Sequence, residues 1–209
     1  MAFNEKQIQI IETAERLFAD KGFDATSVRD IAEEAGVNVA MISYYFGSKE
    51  KLLEALFTYR SAATLLTLED MIQNDKATVL QKVNSLIDYY IEKILSQPCF
   101  HQIMMREQIT NFRTTTAALI LEMKKKNQAL ITQLIHQGQK QEGFKKNIDI
   151  SLMMATLVGT VSHVVTTEYY YKEVNNLQSL SDEEFKKLLK KNLSTHLKKL
   201  FKATLTHEA

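Results

Sequence analysis

Proline occurs once in 209 residues, glycine six times and cysteine once. So few turn-formers argue against sandwiches and barrels, which need a turn every few residues, and favour long helices. The lone cysteine, Cys99, excludes an intramolecular disulfide framework. A charge of one sign is also lacking: 26 lysines and arginines against 25 aspartates and glutamates leave +1, so no global basic excess advertises nucleic acid. The opening Met-Ala-Phe-Asn-Glu-Lys-Gln has no apolar core and reads as no signal peptide. The least charged stretch, Ile150 to Thr167, holds Ser151, Thr156, Thr160, Ser162 and His163, which suits a buried helix better than a membrane span. The expectation is a cytoplasmic, all-α protein with no membrane partner, long enough to bury a sizeable core as one or two domains.

Periodicity places the elements. Ile11, Ala14, Leu17 and Phe18 give one face to a helix over about 5–21. Leu52, Leu53, Leu56 and Phe57 do so for a helix starting at Lys49, with a break at 74–76. Further helices follow over about 79–96, ending before Pro98, then 100–111 and 115–139.

The stretch 26–52 carries the most information. Ser27 and Asp30 have the spacing of a capping box, followed by an apolar face of Val28, Ile31, Ala32 and Ala35. Gly36 stands where a helix end needs a left-handed residue. Asn38 is a good N-cap for the next helix, whose inner side is Ile42, Tyr45 and Phe46. Gly47 stops it, and Ser48 caps the helix that begins at Lys49. This is a helix-turn-helix, which sets its second helix in the DNA major groove.

Phe18-Ala-Asp-Lys-Gly-Phe23, Thr26-Ser27, Ile31-Ala32, Ala35-Gly-Val37, Tyr44-Tyr-Phe46 and Ser48-Lys-Glu-Lys-Leu52 together resemble, in order and spacing, the DNA-binding domain of the TetR family of bacterial transcriptional regulators. Ala40 and Ser43 depart from it, standing where that family often has glycine and tyrosine. The resemblance implies a three-helix DNA-binding domain over 1–48 and a helical effector-binding and dimerisation domain over 49–209. It implies a repressor that holds two recognition helices about one DNA turn apart on a double-stranded operator. A small apolar effector would release it by changing the tilt of the fourth helix. Ser27, Tyr44, Tyr45 and Lys49 are expected at phosphates. Lys49 lies in a first helical turn, where the macrodipole disfavours a cation and a docked phosphate would offset the misplacement. Val39, Ala40 and Met41 are expected at base edges; they offer no hydrogen bonds, so thymine methyls are their natural contact. The first 50 residues carry five basic against nine acidic side chains, which counts against nonspecific binding but leaves room for a local contact surface.

The C-terminal part is expected to hold the homodimer contact. Ala155, Gly159, Ser162 and Thr166 put small residues on one face of a helix over about 151–171. Phe185, Leu189, Leu193 and Leu197 stripe a last helix over about 181–203, capped by Ser181 with Glu184. Tyr89, Met104, Met105, Phe112, Met123 and Met154 are candidates to line the effector pocket, since methionine adapts to irregular ligands. Arg106 and Glu107 interrupt the apolar segment before them, as a structural ion pair or as effector-orienting groups. Catalysis finds little support: no two of the five histidines have the spacing of a helical metal site, Cys99 has only His101 near it, and there is no glycine-rich phosphate loop. No enzyme activity, cofactor or metal is expected. Two alternatives stand beside this reading: a regulator without a small-molecule effector, and a helical carrier or enzyme with a vestigial head.

Overall fold

The computed structural model describes residues 3–110 and 115–207. Among the described residues all regular structure is helical: α1 (Glu5–Lys21), α2 (Val28–Glu34), α3 (Val39–Phe46), α4 (Lys49–Gln73), α5 (Val79–Ser96), α6 (Pro98–Thr110), α7 (Thr115–Gln141), α8 (Ile150–Thr166), α9 (Glu168–Val174) and α10 (Asp182–Leu205). The chain forms two compact units, Met1–Thr67 with Gln97–Lys126 and Leu68–Ser96 with Asn127–Ala209, so α4 and α7 each contribute to both.

The first unit is built on α1. Asn4 caps it in a capping box with Gln7, and it buries Ile10, Ile11, Ala14 and Phe18 completely or nearly so. Ile31 and Ala32 of α2, Ile42 of α3, and Leu52, Leu53, Leu56 and Phe57 of α4 close the same core. Phe100 and Ile103 of α6 and Ile120 of α7 complete it, with the Phe57 and Phe100 rings 5.3 Å apart. A buried carboxylate, Glu15, receives both Nε and Nη2 of Arg60 at 2.8 Å. Arg106 donates from Nη1 to the Phe18 carbonyl at 3.2 Å, in the last turn of α1, where the helix dipole favours a cation.

The second unit packs α5, α8 and α10 with the later part of α7. Val79, Val83, Leu86, Ile87, Ile91 and Ile94 repeat at helical spacing along α5 and are all buried. Asp88 ties α5 to α10, accepting from Ser194 Oγ at 2.6 Å and Lys198 Nζ at 2.5 Å. Glu142 caps α5 from across the chain, accepting from Val79 N–H at 2.6 Å and Leu80 N–H at 3.1 Å. Gly138 of α7 lies under Phe144; a β-carbon there would stand 2.3 Å from the ring.

Two expectations need correction here. The expected helix over 151–171 is two helices, α8 and α9, meeting at 81°. Thr166 Oγ1 donates to the Ser162 carbonyl at 2.8 Å, and Thr167 Oγ1 to the His163 carbonyl at 2.7 Å. Such back-bonding competes with the helical ladder and bends it. The stripe of α10 also faces a different way: Phe185, Leu189, Leu193 and Leu197 are at most 5% exposed and belong to the core of their own unit. Burial in the same chain removes these four from a contact with a second subunit. Among the described residues no single helix is long and apolar enough to cross a membrane.

Candidate nucleic-acid interface

The turn between α1 and α2 and the start of α4 are fastened together by two side chains. Thr26 is fully buried, and its hydroxyl lies 2.7 Å from the Gly22 carbonyl and 3.2 Å from that of Leu17. Lys49, in the first turn of α4, donates from Nζ to the Phe23 carbonyl at 2.8 Å and the Thr26 carbonyl at 2.9 Å, with the Phe23 ring 4.3 Å below the charge. These partners answer the misplacement that the dipole argument identifies. An ammonium has three N–H donors, so one remains beyond the two carbonyls.

Ser27 opens α2. Its Oγ accepts from Asp30 N–H at 3.1 Å, while Asp30 accepts from Ser27 N–H at 2.8 Å and from Ser27 Oγ–H at 2.7 Å. The hydroxyl and then the backbone bond hold the Asp30 carboxyl below its ordinary pKa. Gly36 has φ of 61° and turns the chain into α3. Asn38 caps α3, accepting from Ala40 N–H at 2.8 Å. Ile42 anchors α3 in the core and leaves Val39, Ala40 and Tyr44 exposed, with Met41 and Tyr45 half-buried. The rings of Tyr44 and Tyr45 stand 5.2 Å apart. Tyr44 is 84% exposed, and among the described residues before Lys49 the only exposed large apolar side chains are Val39 and Tyr44, both on α3. The seven expected DNA contacts thus fall on α2, α3 and the first turn of α4. The clamp made by Thr26 and Lys49 is not evident from sequence, because its acceptors are backbone carbonyls.

The expected effector residues divide between the two units. Tyr89 and Met154 pack, half-buried, on the core of the second. Tyr90 beside Tyr89 has its hydroxyl pushed up to about 12, mainly by burial and further by Tyr89, against a hydrogen bond with Asn127. Met104 packs on the core of the first unit, Met123 is half-buried there, and Met105 is exposed. Phe112 lies outside the described residues. An open groove of about 410 Å³ along α1 and α2 is lined by Glu5, Glu12, Glu34 and Arg16 among others. Three carboxylates against one guanidinium suit neither a phosphate backbone nor an apolar chain.

On α8, Ala155, Gly159 and Thr166 are exposed and Ser162 is buried. A β-carbon at Gly159 would meet nothing within 4 Å. In the second unit every exposed large apolar side chain among the described residues lies on α8, α9 or α10: Leu152, Tyr169, Tyr170, Val174 and Leu200. The Cys99 thiol is pushed up by burial and by Glu15, which disfavours a reactive thiolate. No group of three metal-ligating side chains occurs among the described residues.

Two family models match. One, described as "Bacterial regulatory proteins, tetR family", covers residues 10–56; the other, "YsiA-like protein, C-terminal region", covers 57–191. Among curated proteins, the "Probable HTH-type transcriptional regulator YttP" of Bacillus subtilis is 34% identical over 141 residues, 65% of this chain and 66% of that protein. The "Fatty acid metabolism regulator protein" of the same species is 26% identical over 180 residues, 85% of this chain and 90% of that protein. A crystal structure of the transcriptional regulator FadR from Bacillus subtilis in complex with stearoyl-CoA shares the fold with a TM-score of 0.68 at 23% identity, covering 95% of this chain and 99% of that one.

Proposed function

We propose, since the chain belongs to the tetR family of bacterial regulatory proteins, that this DNA-binding transcriptional regulator is a homodimeric repressor, released from its operator by an apolar effector of the long-chain acyl thioester class. The observation that carries the DNA reading is the exposed face of α3, where Val39, Ala40 and Tyr44 stand clear of a head whose other large apolar side chains are covered. Covering Val39 and Ala40 against thymine methyls is a sequence-selective use of such a face. Ser27, Tyr44, Tyr45 and the third N–H of Lys49 are assigned to phosphates, where they fix register without reading sequence. Met41 borders the base-reading pair. The DNA-binding domain is assigned to 1–48 and the effector and dimer domain to 49–209, and the protein works on cytoplasmic DNA.

Dimer contact is assigned to the exposed side of α8, with Leu152, Ala155, Gly159 and Thr166, joined by Leu200 of α10. Small side chains let a second helix approach closely, and a helix-turn-helix reader meets two half-sites as a symmetric pair. The effector class draws on two things: the methionines and tyrosines of the helical body, and the likeness to a fatty acid metabolism regulator over 85% of the chain. Tyr89, Met104, Met105, Met123 and Met154 are its assigned contacts, together with Phe112. The test is selection of bound sites from random duplexes, followed by titration of the selected complex with stearoyl-CoA. Enrichment of a palindrome, and its release by the thioester, is the expected result. Failure to enrich any sequence would favour the carrier reading; enrichment without release would favour a regulator switched by other means.

A further inference from the structure

Two buried polar atoms, Gln97 Oε1 and His101 Nε2, have no hydrogen-bond partner among the described residues. They belong to one turn of one helix. Gln97 immediately precedes Pro98, the first residue of α6, and its carbonyl accepts from His101 N–H at 3.1 Å. Side chains four residues apart share a helical face, with β-carbons roughly 5–6 Å apart. His101 is 7% exposed. Phe100 and Ile103, on the neighbouring face of α6, supply the apolar core. Met104, half-buried, continues the face of Gln97 and His101.

A core that only needed filling would use apolar side chains here. An unpartnered buried polar group costs about 1–3 kcal/mol, and such groups are uncommon in folded proteins. Two of them a turn apart, beside a methionine, make a polar point on an apolar wall. That is how a site for a mostly apolar ligand fixes its orientation. Their chemistry narrows the ligand group. Burial holds the His101 imidazole below its ordinary pKa, so the ring is neutral at pH 7 and Nε2 donates or accepts according to its tautomer. Gln97 Oε1 only accepts. A carboxylate would set acceptor against acceptor at Gln97, while a hydroxyl or a secondary amide donates to Gln97 and accepts from His101.

We infer that Gln97 and His101 together bind a neutral group that both donates and accepts, a hydroxyl or a secondary amide, carried on the apolar effector. This deepens the effector reading above and rests on it.

Calorimetric titration of the full chain with three probes of nearly equal size tests the inference: 1-octanol, N-methylheptanamide, and 1-methoxyheptane, which only accepts. The alcohol or the amide is expected to bind about tenfold more tightly than the ether, and the tighter of the two identifies the group. In Gln97→Leu and His101→Phe that preference is expected to vanish, with ether affinity kept within about twofold. A second readout needs no variant: the tighter probe should shift the His101 Nε2 resonance in ¹⁵N NMR of the wild type, and the ether should not. Equal affinity for all three probes with an unmoved His101 resonance would overturn the inference and leave the effector reading intact. Binding of none would overturn both.

Discussion

Lys49 illustrates what single residues contribute. The sequence reading places an unfavourable cation at a helix N-terminus and looks to DNA for its compensation. The structure supplies an internal answer first, in the Phe23 and Thr26 carbonyls at 2.8 and 2.9 Å. The lysine therefore has two separable uses, clamping the head and meeting a phosphate with its remaining donor. Lys49→Ala should weaken binding to all sequences alike and lower the salt slope, log affinity against log salt, by about one. An unchanged slope would leave it a clamp only. Glu15 and Arg60 make a different case, because Glu15 is 5% exposed. Removing one partner of a buried pair strands the other charge, so Glu15→Ala should cost about 3–5 kcal/mol in urea unfolding. A loss near zero would show that water reaches Arg60 without penalty. Neither pairing was legible in the sequence: Glu15 and Arg60 are 45 positions apart, and the acceptors of Lys49 are main-chain atoms.

Single elements were legible where local chemistry settles them. The capping boxes at Ser27 and Ser181, the Asn38 cap and the left-handed Gly36 follow from residues within four positions, and all are present. A stripe such as that of α10 was legible as a face, but periodicity does not say whether a face meets its own chain or another. The break between α8 and α9 was also missed, because threonine hydroxyls end a helix only when they turn back onto its carbonyls. Two variants probe this scale. Ser27→Ala removes the bonds that depress the Asp30 pKa and should lower the urea midpoint at pH 7. The contribution of Asp30 is full above its ordinary value of 3.8 and is lost as pH falls through the lower folded-state value. The gap between variant and wild type should therefore narrow on acidification below about pH 4, and a gap that widened would contradict the assignment. Gly138→Ala sets two effects against each other. Helix propensity favours alanine by about 1 kcal/mol, but a β-carbon 2.3 Å from the Phe144 ring forces repacking, at about 1–3 kcal/mol. Net destabilisation is expected, and a raised midpoint would show that Phe144 yields freely.

At the scale of the whole molecule, the account is of a regulator that reads DNA as a pair and is switched by what its body binds. Gly159 gives a clean test of pairing. A side chain there meets nothing in the same chain, so Gly159→Leu should leave the fold intact while weakening self-association, read by sedimentation across a concentration series. A stable wild-type monomer at micromolar concentration would remove the α8 contact altogether. The switch is tested most directly by thermodynamic reciprocity. A ligand moves a two-state equilibrium only by its differential affinity for the two states, so a ligand that releases the operator must itself be weakened by the operator, by the same factor. Calorimetric titration of stearoyl-CoA into the free protein and into its complex with the selected operator measures that factor. We predict affinity at least about fivefold weaker in the presence of operator, the lower end of ordinary allosteric coupling. Equal affinity in the two titrations would contradict the account, however tightly the thioester binds.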